Sequence, residues 1–225
     1  MKTNRYNIYN LIHKALRALM YDIALTIQHT DFADAEQTQI ALTKINSVVT
    51  IFKSHSFHED SHVMPAVLKF DLYSANEVES EHERDEVLMQ QLESKIAEIE
   101  NAASSEIAKS AGVEMHYLFI DFMAFNLTHM NMEEEIINQI LWKHYDDEEL
   151  KAITGKIVSS QTPSEAMFSL EWMIRGISNS ELESLLAVLN STMPAPAYVK
   201  VLQLAEQVLP AKRWNKISLS KLEAA

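Results

Sequence analysis

Through its first 145 residues the chain repeats apolar side chains at three-and-four spacing, in long runs that little interrupts. With 3 Gly and 5 Pro in the whole sequence, tight turns are few, and no strand-like alternation competes with the helical period. Helix A is expected from about Asn4 to Gln28, with Tyr6, Tyr9, His13, Leu16, Met20, Ile23 and Ile27 as its stripe. Helix B follows a polar turn at His29 to Asp34 and runs to about Val67, with Pro65 expected to kink or end it. A loop over Asp71 to Asn76, with Asn76 as the cap, precedes helix C at Glu77 to Ala102. Helix C carries Val78, His82, Asp85, Met89, Leu92, Ile96 and Ile99. Ala103 to Gly112 breaks the pattern, and helix D spans Val113 to Tyr145 with Leu118, Phe122, Phe125, His129, Glu133, Ile136 and Ile140 on its stripe.

Four such helices with short connections predict an all-α, up-down-up-down four-helix bundle over residues 1–146. Beyond Asp146 the helices shorten. Thr162-Pro163-Ser164-Glu165 reads as a capping box with proline at the first helical position, and Ser178 to Glu181 as a second helix start. Pro194 and Pro196 introduce a last helix through Val208. Residues 147–225 are expected to form a helical extension packed on the bundle.

The charge balance of −13 argues against a nucleic-acid partner, and no apolar run is long enough for a membrane span. No signal peptide is read at the N-terminus, so a cytoplasmic protein is expected. The three glycines stand apart, which removes the phosphate loop, the dinucleotide fingerprint and the serine-hydrolase elbow. Without cysteine, any metal must be held by His, Asp and Glu, a donor set that suits iron, manganese or zinc.

Those donors are distributed in a particular way. His13, His55, His82 and His129 fall one on each expected helix, and two of them open the same pattern, His55-x-x-x-Glu59 and His129-x-x-x-Glu133. Four helical residues advance about 6 Å and overshoot a full turn by about 40°, so each His and Glu project from one face. Inside a bundle an ionised carboxylate is costly unless it is paired or bound to metal. His58 and His62 form a rival H-x-x-x-H pair. His58 is expected to face solvent, and His62 either reaches the site as a further ligand or lies at the bundle edge. Asp85 is expected either to orient the His82 imidazole or to belong to a solvated face. In the run Glu133-Glu134-Glu135 only the first is expected to point inward.

From His13 to Glu135 this constellation resembles the hemerythrin-like, HHE cation-binding family, through H…HSFHE…EH…HMNMEEE and the V-M-P that follows helix B's motif. The resemblance implies two iron ions joined by an oxygen or hydroxide bridge, held by His13, His55, His82 and His129, with Glu59 and Glu133 bridging. The second histidine that the oxygen carriers place in helix C has no counterpart, since Val78 and Glu86 flank His82 at four residues. His62, His29, Glu86, Glu79 and His58 are its candidate substitutes. The function implied is binding or sensing of O₂, nitric oxide or a related small oxidant, with a protein partner or homo-oligomer also compatible. No further acid/base or substrate motif argues for a dedicated catalyst. The rival readings are a metal-independent helical interaction protein and a di-iron oxidase or iron-donating repair protein.

Overall fold

A computed structural model describes residues 5–217, so Asn4, where helix A was expected to begin, lies outside the described residues. Among those residues the secondary structure is entirely helical. The order is α1 (Asn10–His29), α2 (Ala35–His58), a first π-turn (Glu59–Val63), α3 (Met64–Leu68), α4 (Leu72–Glu100), α5 (Ser105–Met132), a second π-turn (Glu133–Ile137) and α6 (Asn138–His144). Shorter helices follow as α7 (Asp147–Ser160), α8 (Pro163–Gly176), α9 (Asn179–Thr192), α10 (Ala195–Val208) and α11 (Ala211–Trp214). No helix among the described residues is long and apolar enough to cross a membrane.

Side-chain caps set most of these starts. Asp34 accepts the Gln37 amide and Asp71 the Ser74 amide, each at 3.0 Å, while Ser104 caps α5. The expected loop over Asp71 to Asn76 is therefore helix already, because Asp71 rather than Asn76 satisfies the free amides. Helix D likewise starts near Ser105 instead of Val113. Pro65 does not end helix B, since the chain passes through the first π-turn and resumes as α3 with proline in its opening turn. Downstream, Thr162 forms the expected capping box, Ser178 forms another at its expected helix start, and Asp146 forms a third with Glu149.

The chain divides into two compact units. The first comprises residues up to Asn10 and Leu19–Gln161, and the second Leu11–Ala18 with residues from Thr162 onward. α7 thus belongs to the first unit. There α4 lies along α5, and α2 packs on α4. Lys53 pairs with Glu93 at 2.7 Å between α2 and α4, and Lys95 with Glu114 at 2.5 Å between α4 and α5. The core includes Ile45, Phe52, Leu92, Met115 and Phe122, with Phe52 set edge-on to Phe122 at 5.0 Å. A second cluster gathers Tyr9, Val63, Val67, Val78, Ile137 and Leu141 around the two π-turns. Arg5 closes this end by donating to the Trp142 and Tyr145 carbonyls while paired with Asp147.

The second unit has its own core of Ile174, Leu182, Leu186, Tyr198, Val201 and Ala205. Lys14 pairs with Glu181, and Arg213 on α11 donates to the Arg175 carbonyl and to Asn179 Oδ1.

At Gly176 an added Cβ would lie 2.5 Å from the Lys14 carbonyl oxygen, a backbone atom that cannot swing aside, whereas at Gly155 it would meet nothing within 4 Å. Gly176→Ala is expected to lower unfolding stability by about 1–3 kcal/mol, as overpacked sites do. Gly155→Ala, at an exposed position within α7, should raise it by up to ~1 kcal/mol through helix propensity. Denaturant unfolding of the two variants checks both signs.

Candidate metal centre

Each H-x-x-x-E pair ends on the first residue of a π-turn: Glu59 opens one and Glu133 the other. In a plain α-helix every four-residue step overshoots a turn by about 40°, so a series of such steps would wind away from the core. The wider i to i−5 ring of a π-turn takes up part of that drift. As a result His55, Glu59, Val63 and Val67 keep one side of their helix, and His129, Glu133, Ile137 and Leu141 do the same. The shift also corrects an expectation for helix D. Ile136 is 48% exposed, and Ile137 takes its place in the core.

The two carboxylates meet among imidazoles. Glu59 and Glu133 are both buried, Glu133 completely. His55 Nε2 lies 3.2 Å from Glu59 Oε1. His82 Nε2, from α4, lies 3.5 Å from Glu59 Oε2 and 4.0 Å from Glu133 Oε1. His129 Nε2 lies 3.6 Å from Glu133 Oε2. The His82 and His129 rings stand edge to face with centroids 5.0 Å apart. Glu59, His82, His129 and Glu133 each bring a ligand atom within 4.8 Å of the others, and His55, Glu59 and Glu133 do so as well. Such buried His and Glu groups can hold a metal ion. His13 is fully buried on α1, in the stretch counted with the second unit.

A further layer of carboxylates orients the rings. His82 Nδ1 donates to Asp60 at 2.8 Å, and His129 Nδ1 donates to Glu81 at 2.6 Å. Both hydrogen bonds leave Nε2 to face the carboxylate pair, the tautomer in which an imidazole is a ligand. Asp60 takes the part for which Asp85 was considered. Asp85 is buried and accepts a 2.6 Å hydrogen bond from Asn126 instead. Neither Asp60 nor Glu81 stands out in sequence, because both are half-exposed acids on a strongly acidic chain. Glu81 directly precedes His82, yet it serves the histidine of the neighbouring helix.

Phe125, expected as core, lies parallel to the His129 ring at 6.0 Å, and the Arg84 guanidinium carbon sits 4.8 Å from the centroid of the Phe125 ring. Tyr9 is buried at the start of α1. Asn138 donates to Asn7 Oδ1, which in turn accepts the Tyr9 and Asn10 amides. Burial, then the charges of Glu133 and Glu59, push the Tyr9 phenol well above its ordinary pKa.

Among the remaining histidines, His58 is not solvent-facing as expected. The end of α7 covers it, and it is 6% exposed. His62 is half-buried beside the same α7 residue and joins neither ligand group. His29, Glu79 and Glu86 are exposed. No residue proposed to replace the missing helix C histidine is thus brought into the ligand groups. Glu134 is half-buried and Glu135 exposed, so only Glu133 of its run turns fully inward.

The electrostatics ask for a cation. Burial pulls the His82 imidazole down, but hydrogen bonds to Asp60 and Glu59 and the charges of Glu59 and Glu133 outweigh it and raise the pKa to about 11. The neighbouring His129 moves the other way, because burial dominates there and the His82 charge adds to it. In metal-free protein the carboxylate pair therefore keeps a positive charge on His82, and a metal ion would supply that charge in its place. Comparison with models of protein families, with curated proteins and with solved structures finds no match to this chain.

Burial raises the Asp85 pKa from 3.8 to about 6, with the Asn126 hydrogen bond and the His82 charge opposing. A carboxyl whose folded pKa is raised contributes full stability below pH 3.8 and loses it as pH rises through about 6. In chelator-treated protein, Asp85→Asn should match the parent near pH 4 and exceed it by roughly 1–3 kcal/mol at pH 8. Urea unfolding at the two pH values measures the difference.

Proposed function

We infer that α1, α2, α4 and α5, the last two joined as α4 along α5, build a hemerythrin-type up-down-up-down bundle around two iron ions. One observation carries this reading: His82 Nε2 approaches both buried carboxylates, each of which also faces the histidine of its own helix. Glu59 and Glu133 would bridge, His82 and His129 would hold one ion, and His55 the other. His13 is assigned as a ligand from the sequence pattern, as the lone histidine on its helix stripe. Iron is the metal that the resemblance to the hemerythrin-like family implies, and zinc and manganese accept the same donor set.

Iron bound there would supply the redox chemistry through which O₂, nitric oxide or a related small oxidant is held. The chain's own residues contribute position and exclusion. Asp60 and Glu81 lock the two imidazoles in the ligating tautomer. Val63, Val67, Ile137 and Leu141 keep bulk water from the carboxylates. Tyr9 holds its proton on Oη beside them, a neutral polar group in a negative site. These features fit the binding or sensing of a small molecule.

Protein purified from iron-supplied cells should carry about two irons per chain, with near-ultraviolet bands from an oxygen bridge and a melting temperature that falls on chelation. Metal-free protein whose stability ignores added Fe²⁺ would sink the reading. His55→Ala and His129→Ala are expected each to abolish two-metal loading, whereas His58→Ala leaves it intact. Metal analysis of the three variants tests the ligand set.

A further inference from the structure

His58 and His62 belong to neither ligand group, yet they are arranged together. Their rings lie 6.2 Å apart and within 19° of parallel. His58 Nδ1 is 3.2 Å, and His62 Nε2 3.3 Å, from one atom, the hydroxyl oxygen of Ser160 at the end of α7. That hydroxyl has a single proton, and it lies 2.8 Å from the Ile157 carbonyl, to which it donates. Both imidazoles can then only donate into Oγ, so two nitrogens from one helix face converge on a single point. His58 is buried and His62 is half-buried, which sets one donor inside and one at the surface.

The geometry points to an outer site for a divalent transition-metal cation at His58 and His62, from which ions pass to the buried carboxylates. Two histidines four apart on one helical face grip such a cation from both sides, and imidazole suits zinc, cobalt, copper and iron. To bind, each neutral ring moves its proton from the converging nitrogen to the other one, so no proton need leave the protein. Ser160 Oγ or water completes the coordination. The net charge of −13 draws cations toward the surface. His58 directly precedes Glu59, and His62 lies within the π-turn that Glu59 opens, so the outer pair and the inner carboxylate share one backbone segment. The delivery role rests on the buried-centre reading above, whereas the outer site itself does not.

Co²⁺ titration of metal-free protein, read by calorimetry and visible absorption, tests both parts. The variant His62→Gln keeps a side chain that can hydrogen-bond Ser160 but is a poor ligand. In a His55→Ala/His129→Ala background, which removes a histidine ligand from each ion of the buried centre, one Co²⁺ should bind outside that centre, and adding His62→Gln should weaken it by roughly tenfold or more. Unchanged stoichiometry and affinity in His62→Gln would overturn the outer site. In otherwise native protein, His62→Gln should slow filling of the buried centre several-fold while final content stays the same. An unchanged filling rate would overturn delivery. If the native buried centre never fills while one ion is present and lost in His62→Gln, the outer site stands and the reading of the buried centre falls.

Discussion

Two carboxylates buried side by side set the terms for the rest of the first unit. An ionised carboxylate taken out of water costs several kcal/mol even after the protein relaxes, and Glu59 and Glu133 sit in the same apolar end. The surrounding residues answer that cost in layers. Imidazole nitrogens from three helical segments face the oxygens, and His82 keeps a proton there up to about pH 11. Asp60 and Glu81 then accept hydrogen bonds from the outer Nδ1 atoms of His82 and His129, at positions that water reaches. A metal ion fits this pattern because it brings the same positive charge with directional bonds and no need for a proton.

Holding both carboxylates inward is a problem of helix phase as much as of charge. Steps of four residues drift around an α-helix, and the series that begins at His55 or His129 would leave the core within three steps. The two π-turns absorb the drift at the glutamates themselves, which is where π-turns are often found in functional helices. Their benefit extends beyond the site. Val63, Val67, Ile137 and Leu141 come into register as a shared apolar floor, against which Tyr9 and Val78 pack. Tyr9 is held in turn by the Asn138 to Asn7 hydrogen bond, so the start of α1 depends on the same register shift that places Glu133.

Much of this was readable from the chain before any fold was known, and the reason is locality. The pairing of His55 with Glu59 and of His129 with Glu133 follows from a four-residue step on one helix. The inward position of His82 follows from its place among Val78, Met89 and Leu92 on a stripe. Capping boxes at Thr162 and Ser178 were equally local, since each is satisfied within four residues. Errors arose where a competing local solution intervened: Asp71 capped α4 before Asn76 could, Ser104 did the same for α5, and the second π-turn exchanged Ile136 for Ile137.

The sequence alone therefore determined an all-helical chain and the inward His and carboxylate pairs, because side-chain direction along a helix is a matter of spacing. It left undecided which groups meet across helices. Asp60 orients His82 and Glu81 orients His129, while Asp85 turns to Asn126. His58 and His62 converge on Ser160, about a hundred residues further along the chain. Those choices depend on the axial offset and rotation of packed helices, quantities set by the fit of many apolar side chains at once. Only the tertiary structure could decide them.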